Sequence, residues 1–270
     1  MSRLLDRVCS ATIGDVRITG LRMSFKVAKT AGREPNTMEL AITNLSAQSR
    51  AALQDADVPV TVEAGYRDTA RVLFVGNIRN ITHTRTGADW VTRLRSGDGE
   101  KAIRDARVNV SLAPGATLAD AVGTVAKALG APLGNALKKA KAGDFGGAFA
   151  AFSGGVTLHG PAATQMDRLL ATAGYTWSIQ DGVLQLLRAD EPNDETAVVL
   201  SPTSGLVGVP EFGEKQSLRA RSLLQPDLRP GRRVQLESEA ARGLYRCETV
   251  THVGDTAGGD WYSECELRRL

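Results

Sequence analysis

Long apolar runs, paired cysteines and a strong excess of charge of one sign are all missing from this 270-residue sequence. No apolar stretch approaches the ~18–20 residues that a membrane-spanning helix needs, and the N-terminus lacks the apolar core of a secretory signal. The three cysteines, Cys9, Cys247 and Cys265, fit no metal-binding spacing and indicate reduced thiols in a protein made in a cytoplasm. A net charge of +3 is too small for a dedicated nucleic-acid binder.

The motifs that carry enzyme chemistry are missing as well. The sequence contains no G-x4-G-K-[ST], H-E-x-x-H or G-x-S-x-G pattern. Gly-Asp-Gly-Glu at 97–100 lacks a third ligand at a metal-binding spacing and predicts a turn. Gly130 and Gly134 do not make a phosphate loop, His159 is expected to help start a helix, and the scattered carboxylates nominate no glycosidase pair.

A repeated phrase is the most informative feature that is present. ITHTRTGADW at 81–90 returns as VTHVGDTAGGDW at 250–261, so that His83 and Trp90 correspond to His252 and Trp261. The phrase VTVEA at 60–64 likewise corresponds to VQLES at 234–238, earlier in each copy. VTVEA or VQLES, then ITH or VTH, then Asp-Trp follow in the same order in both copies, and predict two related small β-barrels or sandwiches, at 1–100 and 193–270. Convergent strand–turn–strand wording is the alternative.

The repeated histidine also suggests a catalytic alternative. Cys247, His252 and Asp255 could form a nucleophilic triad. Residues five apart on a regular strand point to opposite faces, so Cys247 and His252 are not expected to meet. The favoured interpretation is a structural histidine near a strand end, with Trp90, Trp177 and Trp261 all in the core.

Residues 101–192 change character and predict an inserted α+β module. Thr117 and Asp120 form a capping-box pattern before a helix with a buried stripe through Leu118 and Leu129. A second helix is expected from Pro161 to Gly174. Asp181-Gly182 then predicts a two-residue hairpin turn that pairs Trp177 with Leu186 and Ile179 with Leu184. One shorter helix, capped by Ser46 and running from Ala47 to Gln54, is expected in the first copy.

A Gly/Ala-rich segment at 130–155 lies between the two helices of the module. It carries Lys138, Lys139 and Lys141, and the three phenylalanines Phe145, Phe149 and Phe152. One interpretation is a mobile arm or small helical hairpin that contacts a partner. The other is a surface excursion whose phenylalanines pack on the module.

Several phrases of the sequence describe a fold and carry no catalytic residues. They are EPNTMELAITNLSAQSRAAL (34–53), Val60 to Tyr66, Phe74-Val75-Gly76, GYTWSIQDGVLQL (174–186), GLVGVPEF (205–212), SLLQPDLRPGRRVQLES (222–238) and YRCETVTHVGDTAGGDWYSECEL (245–267). These phrases resemble the baseplate or tail hub proteins of tailed bacteriophages, the family related to the phage late-control D proteins. The resemblance runs over most of the chain and is weakest at 130–155.

The resemblance implies a mainly β α+β fold with two tail-tube-like barrels, and a homotrimer in which six barrels form a pseudo-six-fold ring. It implies a structural protein of the virion, assembled in the bacterial host cytoplasm, with no catalytic, cofactor-binding or metal-binding residues. The expected partners are the tail tube or distal tail protein, a spike or fibre protein, and the tape-measure protein as a further candidate. DNA would cross the ring without specific binding. Any lytic activity is expected to belong to other proteins.

Two other function classes stay open at this point. A monomeric two-barrel module could recognise a carbohydrate or a receptor, which would require exposed aromatic side chains. A hydrolase could use the carboxylates or the Cys247/His252 region, and it would lose activity when those residues are changed.

Overall fold

The computed structural model describes residues 6–53, 57–134, 152–188, 191–193, 196–213 and 217–270. The described chain is mainly β with few helices, which confirms the predicted fold class. Its strands are β1 (Arg7–Ile13), β2 (Val16–Ile18), β3 (Met23–Thr30), β4 (Thr37–Thr43), β5 (Pro59–Tyr66), β6 (Arg71–Thr86), β7 (Asp89–Gly97), β8 (Arg107–Leu112), β9 (Val156–Pro161), β10 (Tyr175–Gln180), β11 (Val183–Arg188), β12 (Val198–Leu200), β13 (Leu206–Phe212), β14 (Ser217–Leu223), β15 (Arg233–Glu237), β16 (Arg242–Asp255) and β17 (Trp261–Arg269). Its helices are α1 (Ala47–Ala52), α2 (Glu100–Asp105), α3 (Leu118–Leu129) and α4 (Ala162–Ala171).

The chain divides into two compact units. The first contains Met1–Thr30, Asn36–Asp98 and Asp194–Leu270, and the second contains Ala31–Pro35 and Gly99–Asn193. Within the second unit, the short Ala31–Pro35 segment contributes Arg33, which forms an ion pair with Asp167. Asp167 also accepts a hydrogen bond from the indole of Trp177 at 2.7 Å.

One sheet of 13 strands forms the first unit, in the order β13-β14-β17-β16-β3-β4-β7-β6-β5-β1-β2, with β15 beside β16 and β12 beside β15. Alternate residues of β3, β4 and β14 are buried, as a sheet with one covered face requires. The buried side chains of β3 and β4 belong to one core cluster. In this cluster the rings of Phe25 and Trp261 make a T-shaped contact, with their centroids 5.5 Å apart. A second core cluster is formed by buried side chains from the C-terminal part of the sequence, from Val198 on β12 to Leu267 on β17.

The second unit follows its local sequence signals closely. Thr117 and Asp120 form the capping box, and the apolar stripe of α3 is buried. The turn at Asp181-Gly182 has φ of 53° and 79°, as the predicted hairpin turn requires. Trp177 pairs with Leu186 and Ile179 with Leu184, which confirms the predicted register.

Two helix boundaries differ from their predictions. The helix capped by Ser46 ends at Ala52, and Gln54 lies outside the described residues. The second helix of the module spans only Ala162–Ala171, because Pro161 is still the last residue of β9. Of the 130–155 segment, residues 135–151 lie outside the described part of the chain, including the lysine cluster, Phe145 and Phe149. Phe152 packs on the core of the second unit.

Candidate assembly surface

The two repeated histidines occupy matching positions in two matching hairpins. His83 on β6 lies opposite Thr92 on β7, and its Nδ1 is 2.9 Å from the threonine Oγ1. His252 on β16 lies opposite Ser263 on β17, and its Nδ1 is 2.8 Å from the serine Oγ. Each imidazole also contacts the backbone of a preceding loop, at Leu53 for the first and at Leu228 for the second. The histidine therefore ties a hairpin to a loop in both copies.

The strands around these hairpins repeat in the same order. β3-β4-β7-β6-β5 in the first copy corresponds to β13-β14-β17-β16-β15 in the second. Even a β-bulge repeats, since one register shift falls between Ile78 and Asn80 and the other between Cys247 and Thr249. The phrases VTVEA and VQLES fall on β5 and β15, which hold matching places. A duplicated fold explains the repeated sequence.

The bulge between Cys247 and Thr249 changes the argument from strand alternation against a catalytic triad. One extra residue on the bulged strand reverses the alternation of side chains. Cys247 and His252 are therefore both buried, although they are five residues apart. The expectation that they point to opposite faces was wrong.

The side chains of the suspected triad nevertheless make separate contacts. The Cys247 thiol donates to the Thr249 carbonyl, His252 bonds to Ser263, and Asp255 accepts two hydrogen bonds from Arg22. Burial raises the pKa of the Cys247 thiol well above its usual value. Burial, with the nearby charges of Lys29 and Arg229, lowers the pKa of His252 to about 3. A neutral thiol and a separate imidazole that resists protonation are the reverse of an activated nucleophile and its base.

Trp90 corrects the expectation that all three tryptophans lie in the core. Trp177 and Trp261 are 3% exposed, but Trp90 is 36% exposed at the start of β7. Its ring is covered on one side by the guanidinium of Arg50, 4.3 Å from the ring centroid. A sugar would have to compete with this cation–π contact for the ring face.

The remaining candidates from the sequence are structural. Asp98 is buried and accepts a hydrogen bond from Asn36 at 3.2 Å, while Glu100 begins α2. The His159 carbonyl accepts a hydrogen bond from Gln165 of α4 at 2.7 Å. Gly130 ends α3 in the left-handed conformation. In the described ranges, no group of three or more His, Cys, Asp or Glu side chains could hold a metal ion, and no helix is long and apolar enough to cross a membrane.

The polar face of the sheet carries a charge pattern that sequence analysis missed. In the first copy, three residues on neighbouring strands lie opposite one another with alternating sign: Lys26, Glu39 and Arg95. The matching row in the second copy has every sign reversed: Glu211, Arg219 and Glu266. The two rows together carry no net charge. The sequence shows charged residues alternating with apolar ones along these strands. Which charges lie opposite one another depends on the strand register, which could not be deduced from the sequence.

The edges of the sheet differ between the two copies. On the side away from β17, β16 pairs with β15 through residues 242–246 and with β3 through residues 249–255. In the first copy, β6 pairs with β5 only through residues 71–77, so residues 80–86 have no strand on that side in the described chain. Among the described residues, β13 likewise pairs with β14 alone. We call the β3–β16 pairing the internal seam and these two segments the open edges.

Comparison with known proteins places this fold. A family model described as baseplate hub gp41 matches residues 9–244. The 43 kDa tail protein of prophage MuSo2 from Shewanella oneidensis has a similar structure, with a TM-score of 0.68, 10% identity, and coverage of 98% of this chain and 97% of that one. A tail protein from Neisseria meningitidis MC58 gives a TM-score of 0.66 at 10% identity, with coverage of 98% and 97%.

A third similar structure comes from a secretion system. It is the E. coli c3393 protein, described as a component of the type VI secretion system with structural similarity to the T4 bacteriophage tail proteins gp27 and gp5. The TM-score is 0.63 at 13% identity, and the match covers 96% of this chain and 76% of that one. No curated protein matches the sequence. At these identities the structural likenesses establish the fold alone.

Proposed function

This chain belongs to the baseplate hub gp41 family, and from that premise we propose that it forms a trimeric ring joining a six-fold tail tube to a three-fold spike or fibre. The family is one of structural baseplate proteins and not of enzymes, so the chain is a structural component of a phage tail or baseplate. Its place is therefore in the virion. The ring, its partners and its channel are the proposal.

The duplicated sheet is the observation that carries the proposal. Each chain presents two copies of one strand arrangement, with matching histidine–hydroxyl contacts and matching bulges. Three such chains around one axis present six similar surfaces on one side and three equivalent chains on the other. Rotational symmetry then lets one surface serve repeatedly, and duplication adapts three-fold to six-fold symmetry.

The polar face of the sheet is proposed to line a channel for DNA. A phosphate chain passing a basic wall would be held by release of its counterions. Here the net charge of the row in one copy is cancelled by that of the row in the other. Arg221 also forms an ion pair with Glu264 at 2.6 Å. Such a wall offers transient contacts of both signs and no continuous basic track.

Removing acidic groups from this wall tests the channel. E264Q/E266Q should increase the affinity for duplex DNA and steepen its dependence on salt, because Arg221 loses its ion-pair partner and Arg219 loses one of the two carboxylates opposite it. The control is E237Q/E239Q, which removes two exposed acidic groups outside the charge rows. An equal gain in both variants would argue against a channel along the polar face.

The proposed partners are the tail tube or distal tail protein at one end, a spike or fibre protein at the other, and the tape-measure protein inside. The likeness of c3393 to gp27 and gp5 supports a position next to a spike. Assembly is proposed to take place in the bacterial host cytoplasm, where buried thiols such as Cys247 and Cys265 stay reduced.

Light scattering on the purified chain tests the trimer. Three chains of 28.7 kDa give a particle of about 86 kDa, whose images should show pseudo-six-fold symmetry. A monomer at high concentration, both alone and with a spike partner, would contradict the ring and favour a monomeric binding module.

A further inference from the structure

Three arginines lie opposite one another on β15, β16 and β17. Arg233 pairs with Arg246, and Arg246 pairs with Arg268. Adjoining residues of these strands, such as Val234 and Leu267, belong to the second core cluster, so the three arginine side chains share the opposite face of the sheet. Like charges directly opposite one another on neighbouring strands are destabilising. We call these three residues the arginine row, and its surplus of positive charge needs negative partners.

The described residues supply only part of the negative charge that the arginine row needs. Glu248 accepts a hydrogen bond from Nε of Arg246 at 2.8 Å and also forms an ion pair with Arg268 at 3.5 Å. The Nε atom of Arg233 is buried, and among the described residues it has no hydrogen-bond partner. A buried donor without an acceptor is costly, and such donors are rare in folded proteins. Arg233 is therefore placed to bind an acceptor from another molecule.

An exposed aliphatic row lies beside the arginine row on the same face. Leu244 pairs with Gln235, which pairs with Val199 on β12, and the backbone N–H of Leu270 donates to the carbonyl of Leu244. The side chains of Val199, Leu244 and Leu270 are 44%, 46% and 44% exposed. Two residues along a strand span about 7 Å. One bound segment can therefore contact both rows, which together we call the arginine–aliphatic surface.

The first copy of the duplicated fold does not repeat the arginine row. Measured from the matched histidines, Asn77 on β6 holds the place of Arg246. Asn77 lies opposite Pro59 on one side and Gly97 on the other, so the three matching places carry no charge. A six-fold tube would meet both copies alike. A surface present in one copy alone occurs three times in the proposed ring and suits a three-fold partner.

We propose that the arginine–aliphatic surface binds a three-fold protein partner through a segment that carries acidic residues beside aliphatic ones. Carboxylates of that segment pair with the guanidinium groups of Arg233 and Arg268, which match them in geometry. Its aliphatic side chains cover Leu244 and its neighbours. DNA would use the arginines but leave the aliphatic row in water, so the two rows together favour a protein. This inference rests on the proposed function and names the chemistry by which the ring would hold its spike or fibre.

Photo-cross-linking in assembled tails tests the surface. The full-length chain with benzoylphenylalanine in place of Leu244 should cross-link to a tail protein other than itself, at a segment with acidic and aliphatic residues that mass spectrometry identifies. Benzoylphenylalanine in place of Val75, which holds the matching place in the first copy, is the control and should not give that product. A product with a second copy of this chain, with the tail-tube protein or with DNA, or no product at all, would overturn the inference.

The role of the arginines is measured with a fluorescein-labelled peptide that has the sequence of the cross-linked segment. R233Q should weaken its binding to the full-length chain by roughly tenfold. Stability in urea should stay equal or rise, because the repulsion between Arg233 and Arg246 is relieved. R107Q removes an exposed arginine of β8 and should change neither quantity. Lower stability of R233Q with unchanged affinity would assign the arginine row to folding and overturn the binding role.

The mass of the same protein in solution separates this inference from the proposed ring. A trimer by light scattering, with a Leu244 product that joins two copies of the chain, would overturn the binding surface and leave the ring. A monomer that still gives the expected product with another tail protein would support the surface and overturn the ring. A monomer without any product would overturn both.

Discussion

The protein is expected to lose stability as the pH falls from 7.5 to 5, and replacing His252 by asparagine should remove a large part of that loss. The imidazole is 1% exposed, and its Nδ1 bonds to Ser263. Asparagine places an amide near the position of Nδ1 and keeps that bond, but it loses the contact with Leu228 and does not titrate. The lost contact lowers stability at both pH values, so the dependence of stability on pH isolates the charge of this side chain.

The size of the effect follows from the pKa of His252. Its ordinary value of 6.5 applies to the unfolded chain, and burial lowers the pKa to about 3 in the folded one. Between these values the unfolded state binds the proton more readily, so stability is full above pH 6.5 and falls as the pH falls towards 3. At pH 5 this single group should reduce the free energy of unfolding by about 2 kcal/mol relative to pH 7.5.

Urea unfolding of both proteins at pH 7.5 and pH 5.0, at one protein concentration, measures the difference. H252N should lose about 2 kcal/mol less than the unsubstituted chain between these two values. H159N is the control, since His159 is exposed on β9, and it should behave like the unsubstituted chain. Equal losses in H252N and the unsubstituted chain would refute the burial of a neutral imidazole in the sheet.

Two further substitutions test packing and caps. G254A should destabilise the sheet by about 1–3 kcal/mol in urea unfolding, since the added Cβ would lie 2.4 Å from a ring carbon of Phe25. T117A should cost about 1 kcal/mol of stability through loss of the α3 cap, and a change below experimental error would contradict a capping role.

Local signals predicted the second unit well because each depends on a few neighbouring residues. The Asp181-Gly182 turn requires two positive φ angles, and its length fixes the register of the hairpin. Thr117 and Asp120 satisfy backbone groups within one helical turn. The end of α4 was harder to predict, because a pattern of apolar residues continues beyond the last helical hydrogen bond.

Long-range register limited the prediction of the assembly surface. The sequence indicated that His83 and His252 are equivalent, yet it did not indicate that one lies inside a seam and the other at an open edge. The bulge after Cys247 is a second example. A regular strand would have separated Cys247 from His252, and one inserted residue, set by pairing with β17, reverses that result.

Divergence between the two copies follows the difference between a covered and an open edge. Val27 and His252 meet inside the chain and can be buried permanently. Phe212 is 73% exposed on β13, and the bulge and proline of that strand limit indiscriminate pairing at its open edge. The charge rows also differ between the copies, since Lys26 and Glu211 hold equivalent places with opposite signs. Two identical rows would add their net charges on the wall of the proposed channel, whereas rows of reversed sign cancel and keep the wall near neutral.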